Sequence, residues 1–359
     1  MHWNYYPYRD QELPAMLAQK GYHCIYLNPV CYRGCEKATR FTRVSEREIP
    51  EGIKIVNRFS RLGKSFMLFI YENYLNFKTV KKLGPDTVIS SSHLMAVFTC
   101  LFCRIKGIRF IFDVTDDWEH ADPSPAGRFY KYVIKPLIAR YAYAVTSTSH
   151  SQFEYFESRR GKNTFLVSNG VSPFITDQLK HLKETSRDEK SVNFIGSLRD
   201  WYDFDLLFSV FRELPEINLN IYGQGTLFPV LKELAKNENN IFVHGNTEQQ
   251  MVPQLLQDSL FGVLPLKQTR LNNSTCPIKL FEYWSASKAV ISTPVEEVKK
   301  VGGNVVLYAS DKNEFVRSAR LLLENRKLAG ELGHRAFRKI ETIHNYRVIT
   351  QKFIEIIEN

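Results

Sequence analysis

Long hydrophobic runs are missing from this chain. Nowhere in its 359 residues do 18 uncharged apolar residues follow one another, so no membrane-spanning helix is predicted. The first residues, MHWNYYPYRDQELPAML, lack the basic-then-apolar order and the cleavage site of a secretory leader. Cysteine is scarce too. The six cysteines (Cys24, Cys31, Cys35, Cys100, Cys103 and Cys276) are too few for a disulfide framework in a chain of this length. Cys100 and Cys103 form a CxxC inside the apolar run AVFTCLFCRI and read as buried free thiols in a reducing compartment. Cys31 and Cys35 have no matching pair for zinc, and His23, His150 and His244 have no partner arrangement that suits a metal. No HxxxH or DxD-type pair stands at a strand end, so no metal and no cofactor is expected. Helix-turn-helix, RRM and zinc-finger signatures are absent, which leaves nucleic acid without a recognition element.

What is present is ordinary in bulk and uneven in place. Hydrophobic residues make up 44% and charged residues 24%, the composition of a globular protein of one large or two medium domains. Residues 1–170 hold 24 Lys+Arg against 15 Asp+Glu, an excess of +9, while residues 171–359 hold 24 against 23. The first half is therefore expected to meet an anionic surface or substrate. The stretch Phe59–Lys82 mixes aromatic and basic residues. Arg61, Lys64, Lys81 and Lys82 within it, and Arg58 just before it, are the expected contacts to anionic lipid headgroups, unless the run is an amphipathic helix packed inward.

Strand-like and helix-like segments alternate. CIYLNP (24–29), IKIVNRF (53–59), TVISSS (87–92), RFIFDV (109–114), AYAVTST (142–148) and TFLVSNGV (164–171) read as strands. Helices are expected at 5–20, 65–82, 93–106, 126–141 and 150–159. A polar stretch, 172–190, reads as a linker. A second series follows with strands at 193–198, 218–223, 241–245, 261–266, from Val290, and at 305–310. Its helices are expected at 203–213, 226–236, 248–257, 278–286, 311–325, 327–341 and 346–357. This alternation predicts parallel sheets covered on both faces.

The stretch NNSTCPIKLFEYWSASKAVISTP (272–294) reads as loop, helix, strand. Lys279 and Glu282 are three apart and share a helical face. Beside a helix N-terminus, whose free amides and dipole attract a diphosphate, the cation and carboxylate suit a nucleotide; they also suit a plain surface ion pair. Gly196 and Ser197 follow a strand, where open α/β sheets bind ligands, and Arg199 stands near enough to neutralise phosphate. Gly223 and Gly225 mark a tight turn. Asp113, Asp116 and Asp117 stand at a strand end in FDVTDDWEH. One of them can take a proton from an acceptor hydroxyl, or they can open a helix. His93 opens a helix after a strand, as a cleft-side donor or as a packed side chain.

IKLFEYWSASKAVIST closely resembles the nucleotide-sugar signature of GT-B glycosyltransferases of the group 1 type. The resemblance covers nearly the whole chain and is strongest from Val192 to Pro294. It implies two Rossmann-like domains facing a cleft, with a C-terminal helix crossing back. The implied boundaries are 1–171, 172–190 as linker, 191–341, and 342–359 as the returning helix. It places Glu282 on the ribose, and Gly196, Arg199, Gly223, Ser274 and Lys279 at the donor. Ser274 falls where the family carries a carboxylate, and Ser287 and Ala289 replace the usual Gly and Pro. The family's "YD..DDW" text aligns Asp116 and Asp117 with acceptor chemistry, with His93 as an acceptor contact. The segment from Trp3 through Arg9, Gln11, Leu13, Leu17, Gly21 and Tyr26 to Asn28-Pro29 fits the part of the family that follows its first strand, so that strand is read as missing before Met1.

The implied activity is transfer of a sugar from a UDP- or GDP-linked donor to a glycan or lipid-linked acceptor, without metal. The implied setting is bacterial surface polysaccharide synthesis, in the cytoplasm or on the inner face of the plasma membrane. A nucleotide-sugar 2-epimerase of the same fold and a non-enzymatic nucleic-acid binder are the alternatives.

Overall fold

The computed structural model describes residues 9–28, 31–32, 49–57, 59–60, 66–91, 96–115, 124–182 and 190–359. It divides into two compact units. One comprises Met1–Ser168 with Ile349–Asn359, the other Asn169–Val348.

In the first unit, strands β5 (Thr87–Ser90), β6 (Arg109–Val114), β7 (Ala144–Ser147) and β8 (Thr164–Leu166) form a parallel sheet in that order. Shorter parallel pairs join β1 (Cys24–Leu27) to β3 (Ile53–Val56), and β2 (Cys31–Tyr32) to β4 (Phe59–Ser60). The central strand β6 is buried from Phe110 to Val114, as expected of a strand covered on both faces. Its Phe110 and Phe112 pack with Cys100 and Cys103 of the helix Val97–Lys106 and with Tyr130, Ile134 and Ile138. The CxxC is thus part of the core, and burial pushes Cys100 up to about 12 and Cys103 to about 11. These thiols stay protonated and inert.

The segment read as one helix over 126–141 is a helix at Pro125–Phe129, a π-turn at Tyr130–Ile134 and a helix at Lys135–Tyr141. Pro136 is the cause. It has no N–H for the Tyr132 carbonyl, and the chain widens so that Lys135 N bonds to Tyr130 O.

The second unit holds two parallel sheets. One runs β11-β10-β9 (Ile241–Gly245, Asn218–Tyr222, Ser191–Ile195) and the other β12-β13-β14 (Gly262–Leu264, Val290–Ser292, Val306–Tyr308). Both share one core, including Phe194, Leu219, Ile221, Val263, Leu280 and Ile291. The stretch expected to be a linker contains the helix Pro173–His181, capped by the Ser172 hydroxyl, and it belongs to this unit.

Two further helices are absent from the sequence reading, Arg270–Asn273 and Glu296–Gly302. The second begins without a cap from its own N-cap residue, Val295. Its Glu296 N–H instead donates to the Asn273 side chain at 3.0 Å. The last helix, Tyr346–Glu358, starts in the second unit, and its residues from Ile349 belong to the first. There the Phe353 ring lies 5.2 Å from the Arg9 guanidinium, and the Ile357 carbonyl accepts from Arg109 at 2.7 Å.

Candidate functional site

The C-terminal ends of β9 and β10 carry two glycine turns stacked backbone on backbone. Gly196 N–H donates to Tyr222 O at 2.8 Å, and Leu198 N–H to Gln224 O at 2.9 Å. Gly223 N–H donates in turn to Gly245 O at 2.6 Å. A methyl group on Gly223 would run into the Gly196 carbonyl, and one on Gly225 into the Leu198 carbonyl. Gly223 also holds a φ of 149°, open to glycine and costly to other residues. The glycines are therefore required by the approach of one turn to the other.

The helix Ile278–Ser285 brings Lys279 to these turns. Its ammonium end lies against Gly196, where a Cβ would collide with it. Tyr283 anchors the helix through a bond to Asn193 O at 2.8 Å. On the opposite approach, any side chain at Gly262 would meet the Tyr283 ring. Lys279 Nζ lies 3.8 Å from Glu282 Oε2, and both side chains are largely buried. That is an ion pair too long to count as a hydrogen bond. Nζ also sits 5.6 Å from the Phe194 ring. Burial lowers the lysine's pKa, and the Glu282 charge pulls it partly back. A half-compensated cation lying against the Gly196 turn suits a further anion.

Two loops border this place. Residues 199–203 and 265–272 are tied together: Lys267 N–H donates to Trp201 O at 3.0 Å, and Asp203 N–H to Pro265 O at 2.6 Å. The buried Asn272 side chain donates to both Trp201 O and Lys267 O, at 2.8 and 2.7 Å. Arg199, Lys267 and Arg270 project from these loops, exposed and without an ion pair among the described residues. Ser274 is buried, and its hydroxyl faces Arg270 O and Leu271 O at 3.1 and 3.0 Å. Its proton is thus committed to closing the short helix Arg270–Asn273.

The structure therefore brings together Gly196, Gly223, Lys279 and Glu282, with Arg199 on the bordering loop. His93, Asp116 and Asp117 lie outside the described residues. Their neighbour Asp113 is a structural group. It is buried, accepts from Arg9 Nε and Nη2 at 2.7 and 2.9 Å, and accepts from Thr146 Oγ1 at 2.6 Å. Sequence reasoning passed over the ring pair at the ends of β10 and β11. Tyr222 stacks on His244 with centroids 4.5 Å apart, and His244 Nε2 lies 2.9 Å from Asn220 Oδ1. Burial lowers the His244 pKa. The alternation of β10 and β11 was the available signal, since Asn220, Tyr222, Phe242 and His244 occupy alternate positions. Among the described residues no three His, Cys, Asp or Glu side chains are grouped to hold a metal ion.

Residues 204–355 match the family described as glycosyl transferase-like. The described fold superposes on sucrose-phosphate synthase from Thermosynechococcus elongatus with a TM-score of 0.75, at 13% identity, over 97% of this chain and 91% of that one. The fold is thus of the GT-B class, and residues 204–355 resemble the glycosyl transferase-like family. Anabaena HepE in complex with UDP-glucose shares the fold at a TM-score of 0.66 and 14% identity, over 100% of this chain and 98% of that one. In sequence, the chain is 25% identical over 206 residues to TuaH of Bacillus subtilis (strain 168), a provisionally assigned teichuronic acid biosynthesis glycosyltransferase. That match covers 53% of this chain and 52% of TuaH, so the aligned part spans about half the length of the relative.

Proposed function

We infer that the protein is a glycosyltransferase that moves a sugar from a UDP- or GDP-linked donor to a glycan or lipid-linked acceptor in bacterial surface polysaccharide synthesis. The observation that carries this reading is the half-compensated Lys279 lying on the stacked turns of Gly196 and Gly223, three residues from Glu282. A diphosphate completes the charge of Lys279 over the glycine turns, whose lack of side chains lets it approach, while Glu282 accepts from the ribose hydroxyls. Arg199 adds positive charge at the border. The teichuronic acid assignment of TuaH and the UDP-glucose bound by HepE agree with this chemistry. Asp116 or Asp117 serves as base toward the acceptor hydroxyl and His93 contacts the acceptor, by the sequence resemblance. No metal takes part, and the protein works in the cytoplasm at the inner membrane face. No helix among the described residues is long and apolar enough to cross a membrane.

Calorimetric titration with UDP, GDP, ADP and their sugars tests the reading. Micromolar binding of one diphosphate, followed by sugar transfer in the presence of acceptor extract and EDTA, is the expected result. Absence of binding by every nucleotide removes it. Conversion of the donor sugar without acceptor replaces transfer by epimerisation.

A further inference from the structure

Two neighbouring helical segments of the first unit carry apolar side chains on both of their faces. The helix Val97–Lys106 and the segment 125–141 pack on the same side of the four-stranded sheet, through one core that includes Cys100, Cys103, Tyr130, Ile134 and Ile138 over Phe110 and Phe112. Their opposite faces therefore point away from the sheet together. Phe98 and Ile105 stand two turns apart on one of those faces, and Phe129, Tyr132 and Val133 lie along the other. All five are exposed, Ile105 by 80% and Tyr132 by 69%. Scattered exposed apolar residues are normal; a group of five on adjacent helices is an interaction surface.

Charge says what covers it. Residues 97–112 and 124–141 contain no Asp or Glu. Arg104, Lys106, Arg128 and Arg140 are exposed on the same two segments, and Lys131 lies 5.2 Å from the Tyr132 ring. Among the described residues of these two segments every exposed charge is positive, and such segments are not complementary to themselves, so a second copy of the chain is disfavoured. Nucleic acid would satisfy the cations and leave Ile105 and Tyr132 in water. An anionic bilayer satisfies both: aliphatic and aromatic tips enter the acyl boundary while the cations meet headgroups.

We propose that this face, built from the helix Val97–Lys106 and residues 125–141, docks the protein on anionic lipid. It differs from the Phe59–Lys82 surface expected from sequence. Of those contacts, Arg58, Arg61 and Lys64 lie outside the described residues. The proposal stands on the first unit alone and does not depend on nucleotide binding by the second.

Co-sedimentation of the full chain with vesicles tests it, using phosphatidylcholine alone and phosphatidylcholine mixed with phosphatidylglycerol, at low and high salt. Selective, salt-sensitive binding to the anionic vesicles is expected. Lys106→Glu with Arg128→Glu should lower the partition coefficient at least about tenfold, as the loss of two headgroup contacts implies. Ile105→Ser with Tyr132→Ser should lower it by about tenfold at either salt concentration, because apolar insertion is not screened. Both variants should keep the parental melting curve and nucleotide affinity. Equal partitioning onto neutral and anionic vesicles, no partitioning, or parental binding by both variants overturns the proposal. So does a parental dimer that the serine variant dissociates, which would make the face a contact between copies.

Discussion

Lys279 is largely buried, with Glu282 as its counter-charge among the described residues, and that arrangement governs its response to pH. Its folded pKa lies below the ordinary 10.5, through burial opposed by Glu282. Between the two values the unfolded chain binds more protons, so stability rises with pH across that window. A bound diphosphate draws the proton back. Nucleotide affinity should therefore increase as pH is lowered through the alkaline range below 10.5, with proton uptake. Calorimetry in two buffers of different ionisation heat measures that uptake, and Lys279→Met should abolish it. Glu282→Ala should weaken nucleotide binding about 10- to 100-fold, the worth of a charged hydrogen bond, while the fold persists.

Asp113 behaves differently, because its carboxylate is already saturated by Arg9 and Thr146. Asp113→Ala strands a buried guanidinium and should cost the first unit about 3–5 kcal/mol in urea denaturation. Nucleotide affinity should be unchanged, since the second unit is untouched.

At the scale of elements, several boundaries depend on residues remote in sequence. The helix Glu296–Gly302 has acidic residues in its first turn and lysines in its last, a pattern that favours the helix dipole. Its cap comes from Asn273. Asn273→Ala should lower stability by about 0.5–2 kcal/mol, read from thermal denaturation. Ser287 holds a left-handed φ of 52°, at the place where the family sequence carries glycine. Its carbonyl is approached by Gly333 of the helix Arg326–Thr342 so closely that any Cβ there would collide with it. Gly333→Ala should therefore cost about 1–3 kcal/mol by overpacking. Helix, turn and strand around 278–292 were legible because the apolar spacing and the GT-B text coincide there. The short helices Arg270–Asn273 and Glu296–Gly302 were not legible, because so few residues show no periodicity.

In the whole molecule, the residues proposed to hold the nucleotide, Gly196, Gly223, Lys279 and Glu282, belong to one of the two units. A saturating nucleotide at about 100 times its dissociation constant adds about 2.7 kcal/mol to the state that binds it. For a unit of this size that is a shift of roughly 5–10 °C. Differential scanning calorimetry should show that shift in the transition of the second unit, with the first unit's transition unmoved. Equal shifts in both transitions would mean that the nucleotide couples the units or binds elsewhere. The uneven charge also has a structural counterpart. Part of the excess of the first 170 residues lies on two adjacent helical segments without a single acidic residue.

Sequence alone determined the α/β class, the alternation of the main strands and helices along the chain, and the place of Lys279 and Glu282 on one helix. Period-2 and period-3.6 patterns, glycine after a strand and a cation three residues from a carboxylate are local properties, written within a few residues of one another. Tertiary structure decided which of these groups are free to act. Asp113 reads like its neighbours Asp116 and Asp117 until Arg9, 104 residues away, is found beside it. Ser274 aligns by resemblance with a donor-binding position, yet its proton is spent on Arg270 and Leu271. The exposure of Ile105 and Tyr132 follows from how two helices lie on one sheet. Partnership and exposure depend on packing between distant segments, and no local pattern encodes them.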